Sequence, residues 1–399
     1  MSAPFPLPFA ELHRALIVKL RHHGDVLLAS PVFTALKRLA PQCELDALVY
    51  ADTAPLLQHH PAIARVHTID RSWKRLGAWP QARAETRLFA ALRARHYDLI
   101  VVLGPHWRGA WLSRLLKPRF SVAPRLPSRF WQASFTHLYP RASHPQRHTV
   151  ESHLDALRRL GLIVDPADKP LVLRPGAAAE ARVASLLAER GLSAGRFIHL
   201  HPASRWRFKC WPVEKFAALA GALAAQGWPL VFTAAPEAGE RQMVAEIIVA
   251  SAVPSGLTPA SSMRGHAFNL AGQLDLPELA ALTAQARLFV GVDSAPMHIA
   301  AAMGTPVVAL FGPSGDIEWA PWQVTHRVVV SAQHPCRPCG LDGCGGGKLA
   351  ECLSELPVAE VLTACRVLLS EGARCFNPRS CRAQASLEEI SPLPKPLSP

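Results

Sequence analysis

Residue types that do chemistry concentrate at a few turns of this chain. In the first, Arg21, His22, His23, Gly24 and Asp25 follow an apolar run at 15–20 and precede a helical pattern at 26–39. Gly24 lets the backbone turn closely. Asp25 then stands where a helix begins, at the carboxyl end of a strand, the edge at which open α/β sheets bind ligands. A carboxylate there can serve as a general base toward a hydroxyl. It can also cap the helix, accepting hydrogen bonds from its first N–H groups. Arg21, His22 and His23 place cationic and titratable groups beside it, as candidates for contact with an acceptor. The turn is not GxGxxG and the chain holds no Walker A sequence, which disfavours a nicotinamide enzyme or a P-loop NTPase.

Two further turns have the chemistry of phosphate binding. After the run FIHLH, Ser204 and Arg205 follow the strand end and Lys209 lies four residues on. Lysine or arginine here can neutralise a diphosphate, arginine with two parallel hydrogen bonds. The alternative is an exposed basic loop with Trp211 packed beneath it. The next turn reads GVDSAPMH: a strand over Leu288–Val292 ends at Asp293, and Ser294, Ala295 and Pro296 open a helix. Proline is tolerated in a first turn, and the free N–H groups with the helix dipole suit an anion. Asp293 would repel phosphate, so it suits sugar hydroxyls beside the diphosphate. His298, one turn in, can donate to a phosphate oxygen. Otherwise Asp293 caps the helix and His298 is a core histidine.

A fourth motif, CRPCGLDGCGGGKLAEC, holds Cys336, Cys339, Cys344 and Cys352. The spacing permits a structural zinc without demanding one; reduced thiols or a local disulfide are the alternatives.

The elements that must position these residues alternate in period. Apolar runs at 15–20, 45–50, 66–69 and 99–103 are separated by helical patterns, among them 26–39 and 83–95. A Pro-rich break, DPADKPLVLRPG, precedes a second set at 197–200, 229–232, Leu288–Val292 and Val307–Phe311, with helices expected at 213–225, 237–250, 276–284 and 294–303. This is an α/β chain of βαβ units with parallel sheets. We expect an N-terminal Rossmann-like domain at 1–170, a C-terminal Rossmann-like domain at 171–372, and a disordered Ser/Pro-rich tail at 373–399. Such a tandem places a ligand cleft between its domains.

The 399 residues are 49% hydrophobic and 18% charged, which excludes global disorder. No period of a repeat protein and no spanning apolar segment occurs. The N-terminus lacks the basic start of a secretory signal, so a cytoplasmic protein with reduced cysteines is expected. The net charge of +13 resides entirely in residues 71–150, where 15 Lys and Arg face only Glu85 and Asp98. That window holds five of the ten tryptophans: Trp73, Trp79, Trp107, Trp111 and Trp131. Bases with interleaved tryptophan suit an anionic membrane surface, a phosphorylated ligand or nucleic acid. They can also form a plain solvated face over core tryptophans.

With these segments together, the chain resembles the bacterial lipopolysaccharide heptosyltransferases, glycosyltransferase family 9. The matching stretches are KLRHHGDVLLASPVFTALK, HTVESHLDALRRLGL, HPASRWRFKCWPVEKF and GVDSAPMHIAAAMGTPVVALFGPS, within residues 15–369. The form Arg21-His22-His23-Gly24-Asp25 is most similar to the heptosyltransferase III branch, which adds a heptose to an inner-core heptose. The resemblance implies a GT-B fold with two Rossmann-like domains facing a central cleft. It implies an ADP-heptose donor, inversion at the anomeric carbon, no cofactor and no divalent metal. Asp25 matches the family's catalytic base, and Lys209 a lysine contacting the donor. Asp293 matches the aspartate on the donor sugar, Ser294, Ala295 and Pro296 the backbone meeting the diphosphate, and His298 a histidine of that helix. Glu237 or Glu240 would hold the nucleoside. The Ser204–Phe208 loop departs from the paired small hydroxyl residues of some branches. Implied partners are a phosphorylated lipopolysaccharide inner core and, through residues 71–150, the anionic inner leaflet, with the protein peripheral on the cytoplasmic face of the inner membrane. Two rivals remain: a heptosyltransferase of the first or second core step, or one using another nucleotide sugar; and a basic nucleic-acid-binding protein with a four-cysteine zinc element.

Overall fold

Short runs such as LIVV at Leu99–Val102 and VVALF at Val307–Phe311 are buried at every position. Strands buried on both faces need cover on both sides, which is the setting of a parallel sheet flanked by helices. The computed structural model, which describes residues 6–140, 147–251 and 267–371, contains two such sheets of six strands each. The first comprises β1 (Arg14–Val18), β2 (Glu44–Tyr50), β3 (Ile63–Ile69), β4 (Leu99–Val102), β5 (Phe120–Pro124) and β6 (His137–Tyr139), in the order β3-β2-β1-β4-β5-β6. The second comprises β7 (Ile198–His201), β8 (Leu230–Phe232), β9 (Ala267–Asn269), β10 (Leu288–Val292), β11 (Val307–Phe311) and β12 (His326–Val330), in the order β12-β11-β10-β7-β8-β9. Every neighbouring pair is parallel. The two orders are one topology: the first strand of each half pairs with its second and its fourth. Strand order therefore reverses between β1 and β4, and again between β7 and β10.

Side-chain alternation along the strands divides the cores. Ala15, Ile17, Ala47, Leu99 and Val101 pack on one face of the first sheet, Leu16, Val18, Leu48, Ile100 and Val102 on the other. In the second sheet Ile198, Leu200, Phe232 and Val290 share one face with Val361, Cys365 and Leu368 of the last described helix, Val358–Glu371. The halves also pack on each other, since Leu279, Ile299 and Ala302 of the second belong to the cluster that holds Ile17 and Val32 of the first.

All eight expected apolar runs lie in strands, and the outer strands β5, β6, β9 and β12 add to them. The helical pattern at 26–39 is two helices, His23–Leu27 and Ser30–Leu39, because Pro31 starts a new first turn. The one expected at 83–95 begins earlier and spans Ala78–Arg93. The Pro-rich break forms a short turn of 3-10 helix at Pro166–Asp168, closed by a capping box between Asp165 and Asp168. The expected tail at 373–399 lies outside the described residues.

One buried polar network fastens the first sheet. Asp46 on β2 is fully buried and takes Arg95 Nε at 2.7 Å, Arg95 Nη2 at 3.2 Å and the Tyr97 hydroxyl at 2.7 Å. Burial pushes this carboxyl up, but His67, Arg95 and Tyr97 outweigh it and hold its pKa at about 2, against an ordinary 3.8. A carboxyl depressed in the folded state contributes stability above its unfolded pKa and loses it as pH falls through the folded one. Arg95→Met should therefore cost about 3–5 kcal/mol, because it strands a buried charge. Its acid unfolding, followed by circular dichroism, should also move up by about one pH unit. An unshifted acid midpoint would show that Arg95 does not set the Asp46 ionisation.

Candidate active site

Both reversals of strand order open toward the carboxyl ends of the strands, where parallel α/β sheets leave a crevice. In the first half the crevice lies between the ends of β1 and β4. Arg21 and His22 follow β1, Gly104 and His106 follow β4, and with Tyr50 and Arg71 they line a cleft of about 230 Å³. The Arg71 guanidinium sits 3.7 Å from the centre of the Tyr50 ring, and the Tyr50 hydroxyl is 3.3 Å from His106 Nε2. Burial, then Arg71, lowers the His22 pKa, and burial with Arg108 lowers that of His106. Both rings are therefore poised neutral in a cationic surround.

Asp25 lies beside this cleft, within the first turn of helix His23–Leu27. It is not the cap: that place belongs to His22, whose side chain makes no cap hydrogen bond. The carboxylate instead meets Lys19 Nζ at 3.2 Å and Arg21 Nε at 3.7 Å. Lys19 ends the apolar run of β1 and is 6% exposed, which is where an ammonium must be fully paired. Its Nζ donates to the Leu103 carbonyl at 3.0 Å and to His153 Nε2 at 2.8 Å. His153 Nδ1 donates to the Leu28 carbonyl at 3.0 Å, so Nε2 is the bare nitrogen that accepts from Lys19. Burial, reinforced by Lys19, holds the His153 pKa down to about 3. Burial also lowers Lys19 itself, against the pull of Asp25. For Asp25, burial pushes the carboxyl up, and Lys19, Arg21 and His153 outweigh it, leaving the group below the ordinary carboxylate range. It is an ionised carboxylate at neutral pH.

His23, expected beside Arg21 and His22, turns away. Its Nε2 is 3.1 Å from the Asp52 carbonyl, and it does not line the cleft. A ring drawn toward the loop after β2 is lost to the crevice.

In the second half the crevice lies between β7 and β10. Lys209 closes a short 3-10 turn, Arg207–Lys209, and its Nζ is 2.5 Å from the Asp293 carboxylate. The two residues assigned separately to diphosphate and sugar thus form an ion pair. Asp293 does not cap the following helix; Ser294 is the cap residue of Ala295–Ala302, and its hydroxyl donates to the Val292 carbonyl at 3.3 Å. No side chain caps the start of this helix, which leaves the Ser294 and Ala295 N–H groups toward the crevice, while Pro296 has no N–H. Ser204 Oγ accepts from the Trp206 N–H at 3.3 Å, and Arg205 is exposed, its guanidinium 5.5 Å from the Trp206 ring. Trp211 is packed beneath the loop, donating to the Leu356 carbonyl at 3.1 Å. Glu240 receives the Ala235 N–H at 3.1 Å and is held above the ordinary range by burial, while Glu237 is exposed.

The crevices face each other. Arg205 of the second half acts on His22 of the first. His298 is buried, held neutral by burial with a pKa of about 4, and its ring packs on Gly24. A Cβ at position 24 would stand 2.8 Å from His298 Cδ2. Helix Thr149–Arg158, which carries His153, also bridges the halves. The His148 ring at its start donates to the Ala320 carbonyl at 3.0 Å and stacks on Trp322 at 4.3 Å. Between them stands Glu318, whose carboxyl is pushed up by burial and further by Asp25 and Asp293. Lys19, His153 and Glu318 were not singled out from sequence. For Lys19 the signal was present, a charge inside the apolar run at 15–20.

The cysteine motif forms no disulfide. Cys336, Cys339 and Cys344 are exposed thiols and Cys352 is buried. Among the described residues the one grouping with metal-ligand spacing is His334, Glu351 and Glu355, which includes none of these sulfurs and neither Asp25 nor Asp293. No helix among the described residues is long and apolar enough to cross a membrane.

A family model for glycosyltransferase family 9 (heptosyltransferase) matches residues 85–349. Lipopolysaccharide heptosyltransferase 3 of Escherichia coli is 38% identical over 306 residues, covering 76% of this chain and 84% of that protein. The chain belongs to glycosyltransferase family 9. Among solved structures, a family 9 glycosyltransferase from Veillonella parvula matches with a TM-score of 0.74 at 21% identity, covering 93% of this chain and 99% of that one. The E. coli heptosyltransferase WaaC with ADP-2-deoxy-2-fluoro heptose matches at 0.66 and 21%, covering 90% and 99%. These neighbours share the fold, and the GT-B-like pair of Rossmann-like sheets read from the sequence is the one observed. The family resemblance to the heptosyltransferase III branch stands with the same relatives, and the chain is a heptosyltransferase enzyme.

Gly24 and His298 are in close contact where the two halves of this family 9 enzyme meet. Gly24→Ala should destabilise it by about 1–3 kcal/mol through overpacking. Adding His298→Ala should recover part of that loss. A double-mutant cycle of thermal unfolding should give a coupling of about 1 kcal/mol or more. Strict additivity would mean that the two halves do not meet there.

Proposed function

We propose that this enzyme moves a heptose from ADP-heptose to an inner-core heptose of lipopolysaccharide, with inversion and with Asp25 as general base. The observation that carries the reading is the pairing of opposite chemistries across the cleft: an ionised, cation-braced carboxylate on one side, and a lysine with an uncapped helix N-terminus on the other. The names of the relatives support the substrates, since one is a lipopolysaccharide heptosyltransferase and another was solved with an ADP-heptose analogue.

In this reading the first half, through Arg21, His22 and the Arg71–Tyr50 wall, holds the acceptor. Asp25 takes the proton of its hydroxyl as the oxygen attacks the anomeric carbon in line, and ADP leaves. Lys19 keeps Asp25 ionised and aimed. The second half holds the donor. Lys209, Arg205 and the backbone stretch Ser294, Ala295 and Pro296, through the N–H groups of Ser294 and Ala295, meet the charge growing on the diphosphate. Asp293 takes sugar hydroxyls, and His298 lies behind that turn. Glu240, half-buried where Glu237 is exposed, takes the nucleoside. Fixed positive charge does the neutralising here, because Asp293 is already committed to Lys209. The domain boundary is placed at about 170, and the membrane side is assigned to residues 71–150.

The deciding experiment supplies ADP-heptose with defined truncated lipopolysaccharide cores and records which core gains the mass of one heptose. Gain by a core that ends before its second heptose would move the enzyme to an earlier step. Turnover should survive EDTA; loss restored by Mg²⁺ or Mn²⁺ would sink the metal-free mechanism, and metal content measured alongside separates a structural ion at the cysteine motif.

Asp25→Asn should lower kcat by about 10²–10⁴, the usual size for a lost general base, with ADP affinity unchanged. A near-wild-type rate would leave Asp25 only its structural ion pair. Lys209→Ala should weaken ADP in calorimetry, whereas Asp293→Ala should weaken ADP-heptose more than ADP. Equal losses for the two ligands in Asp293→Ala would remove the sugar contact.

A further inference from the structure

The positive window of the first half also carries most of its exposed aromatic surface. Helix Trp107–Leu116 buries Gly109, Ala110, Leu112 and Ser113 and turns Trp107, Trp111 and Leu115 outward, each four residues from the last. These three are 50%, 54% and 55% exposed, so they are not core residues with a visible edge. Phe130 supports the ridge from below, with ring centres 5.9 Å from Trp107 and 5.0 Å from Trp111. Arg114, on the same face, lies over Phe130 at 4.5 Å. The neighbouring helix, Ala78–Arg93, is joined to the ridge through the Arg108–Glu85 pair and presents Trp79, 88% exposed, with Arg83 and Arg87 one and two turns on. The ridge starts at the rim of the acceptor cleft, since His106 both lines that cleft and caps the helix.

A contiguous exposed apolar face of this kind marks an interaction site. Two features choose its occupant. Tryptophan, with its apolar body and polar N–H, settles at the headgroup level of a bilayer. The surrounding surface is cationic, with a window charge of +13 set against an otherwise neutral chain. Cations around a shallow aromatic ridge are the pattern of interfacial binding to anionic lipid. We propose that Trp79, Trp107, Trp111 and Leu115, ringed by Arg83, Arg87, Arg114 and Lys117, dock this enzyme onto the headgroup region of an anionic bilayer. The proposal rests on the reading above only in taking the acceptor to be membrane-borne. Its geometry then holds the acceptor cleft at the bilayer surface, so the sugar enters while its lipid stays in the membrane.

The test uses the full chain and vesicles of phosphatidylglycerol with phosphatidylethanolamine, against vesicles of phosphatidylcholine alone. The enzyme should sediment with the anionic vesicles, release at high salt, and show tryptophan quenching by brominated acyl chains. Arg83→Gln with Arg87→Gln should weaken binding about 25-fold, roughly fivefold for each cation near the surface. Trp107→Ser with Trp111→Ser should weaken it roughly tenfold or more and abolish the quenching of those rings. Transfer to a delipidated core oligosaccharide should be unchanged in both. If the double tryptophan variant melts early, the fully exposed Trp79→Ser and the arginine pair carry the test alone. Equal binding to both vesicle types, or wild-type binding by the variants, would overturn the docking face. So would a dimer that the tryptophan variant dissociates, which would give the face to a second copy. Failure to bind vesicles with transfer to a core intact would overturn the docking face and leave the proposed reaction standing. Vesicle binding with no core gaining heptose would overturn the reaction and leave the docking face.

Discussion

Lys19 places an ammonium at the end of β1 where water barely reaches it. Taking an ion out of water costs several kcal/mol, so the surrounding chain must supply partners from every side. It does so from three elements: the Leu103 carbonyl after β4, Asp25 in helix His23–Leu27, and His153 in helix Thr149–Arg158. Fixing one charge thus fixes the end of the central strand pair, the turn with the candidate base, and the helix that reaches the other half. The His153 ring has no freedom in this, because its Nδ1–H is spent on the Leu28 carbonyl. The ion pair also gives Asp25 its character. Burial alone would favour the neutral acid; the neighbouring cations reverse the balance and keep a carboxylate available at the cleft.

The two halves then reach function through one repeated piece of geometry. Each sheet reverses strand order beside its first strand, so each leaves a crevice at its carboxyl edge. What differs is the chemistry the turns carry into it. The first half brings a carboxylate braced by cations, suited to a group that must lose a proton. The second brings a lysine and unpaired N–H groups, suited to a group that must gain negative charge. Packing His298 against Gly24 sets these two edges face to face, and only the absence of a side chain at position 24 lets them come so close.

Much of this was legible in the sequence because parallel strands are written as continuous apolar runs. The central strands β1, β2, β4, β7, β10 and β11 are of that kind, and so were the turns that follow them. Strands β5 and β6 were not. Phe120–Pro124, with a serine and a proline among five residues, and His137–Tyr139, with three, carry too little apolar length to stand out. Asp25, Lys209 and Asp293 could be named because each follows such a run. What could not be read was pairing across sequence distance: 134 residues separate Lys19 from His153, and 84 separate Lys209 from Asp293. The outward turn of His23 was hidden for the same reason, as its partner is the backbone of Asp52.

The Lys209–Asp293 pair carries a consequence for the donor side. Each residue satisfies the other, with Asp293 almost fully buried and Lys209 partly open to the cleft. In the proposed donor mode, a diphosphate at this turn does not meet a free lysine; it meets one whose charge is already partly neutralised. The short-range gain from Lys209 is therefore smaller than for an isolated cation, and the N–H groups of helix Ala295–Ala302 must supply more of the attraction. In return Asp293 holds the ammonium in advance, and a side chain fixed in advance loses less rotamer entropy on binding. In the proposed donor site, the same pairing would set Asp293 beside the diphosphate without leaving a bare repulsive carboxylate there. The aspartate that looked misplaced among phosphate-type residues is tolerable because a lysine 84 positions away in sequence has already answered its charge.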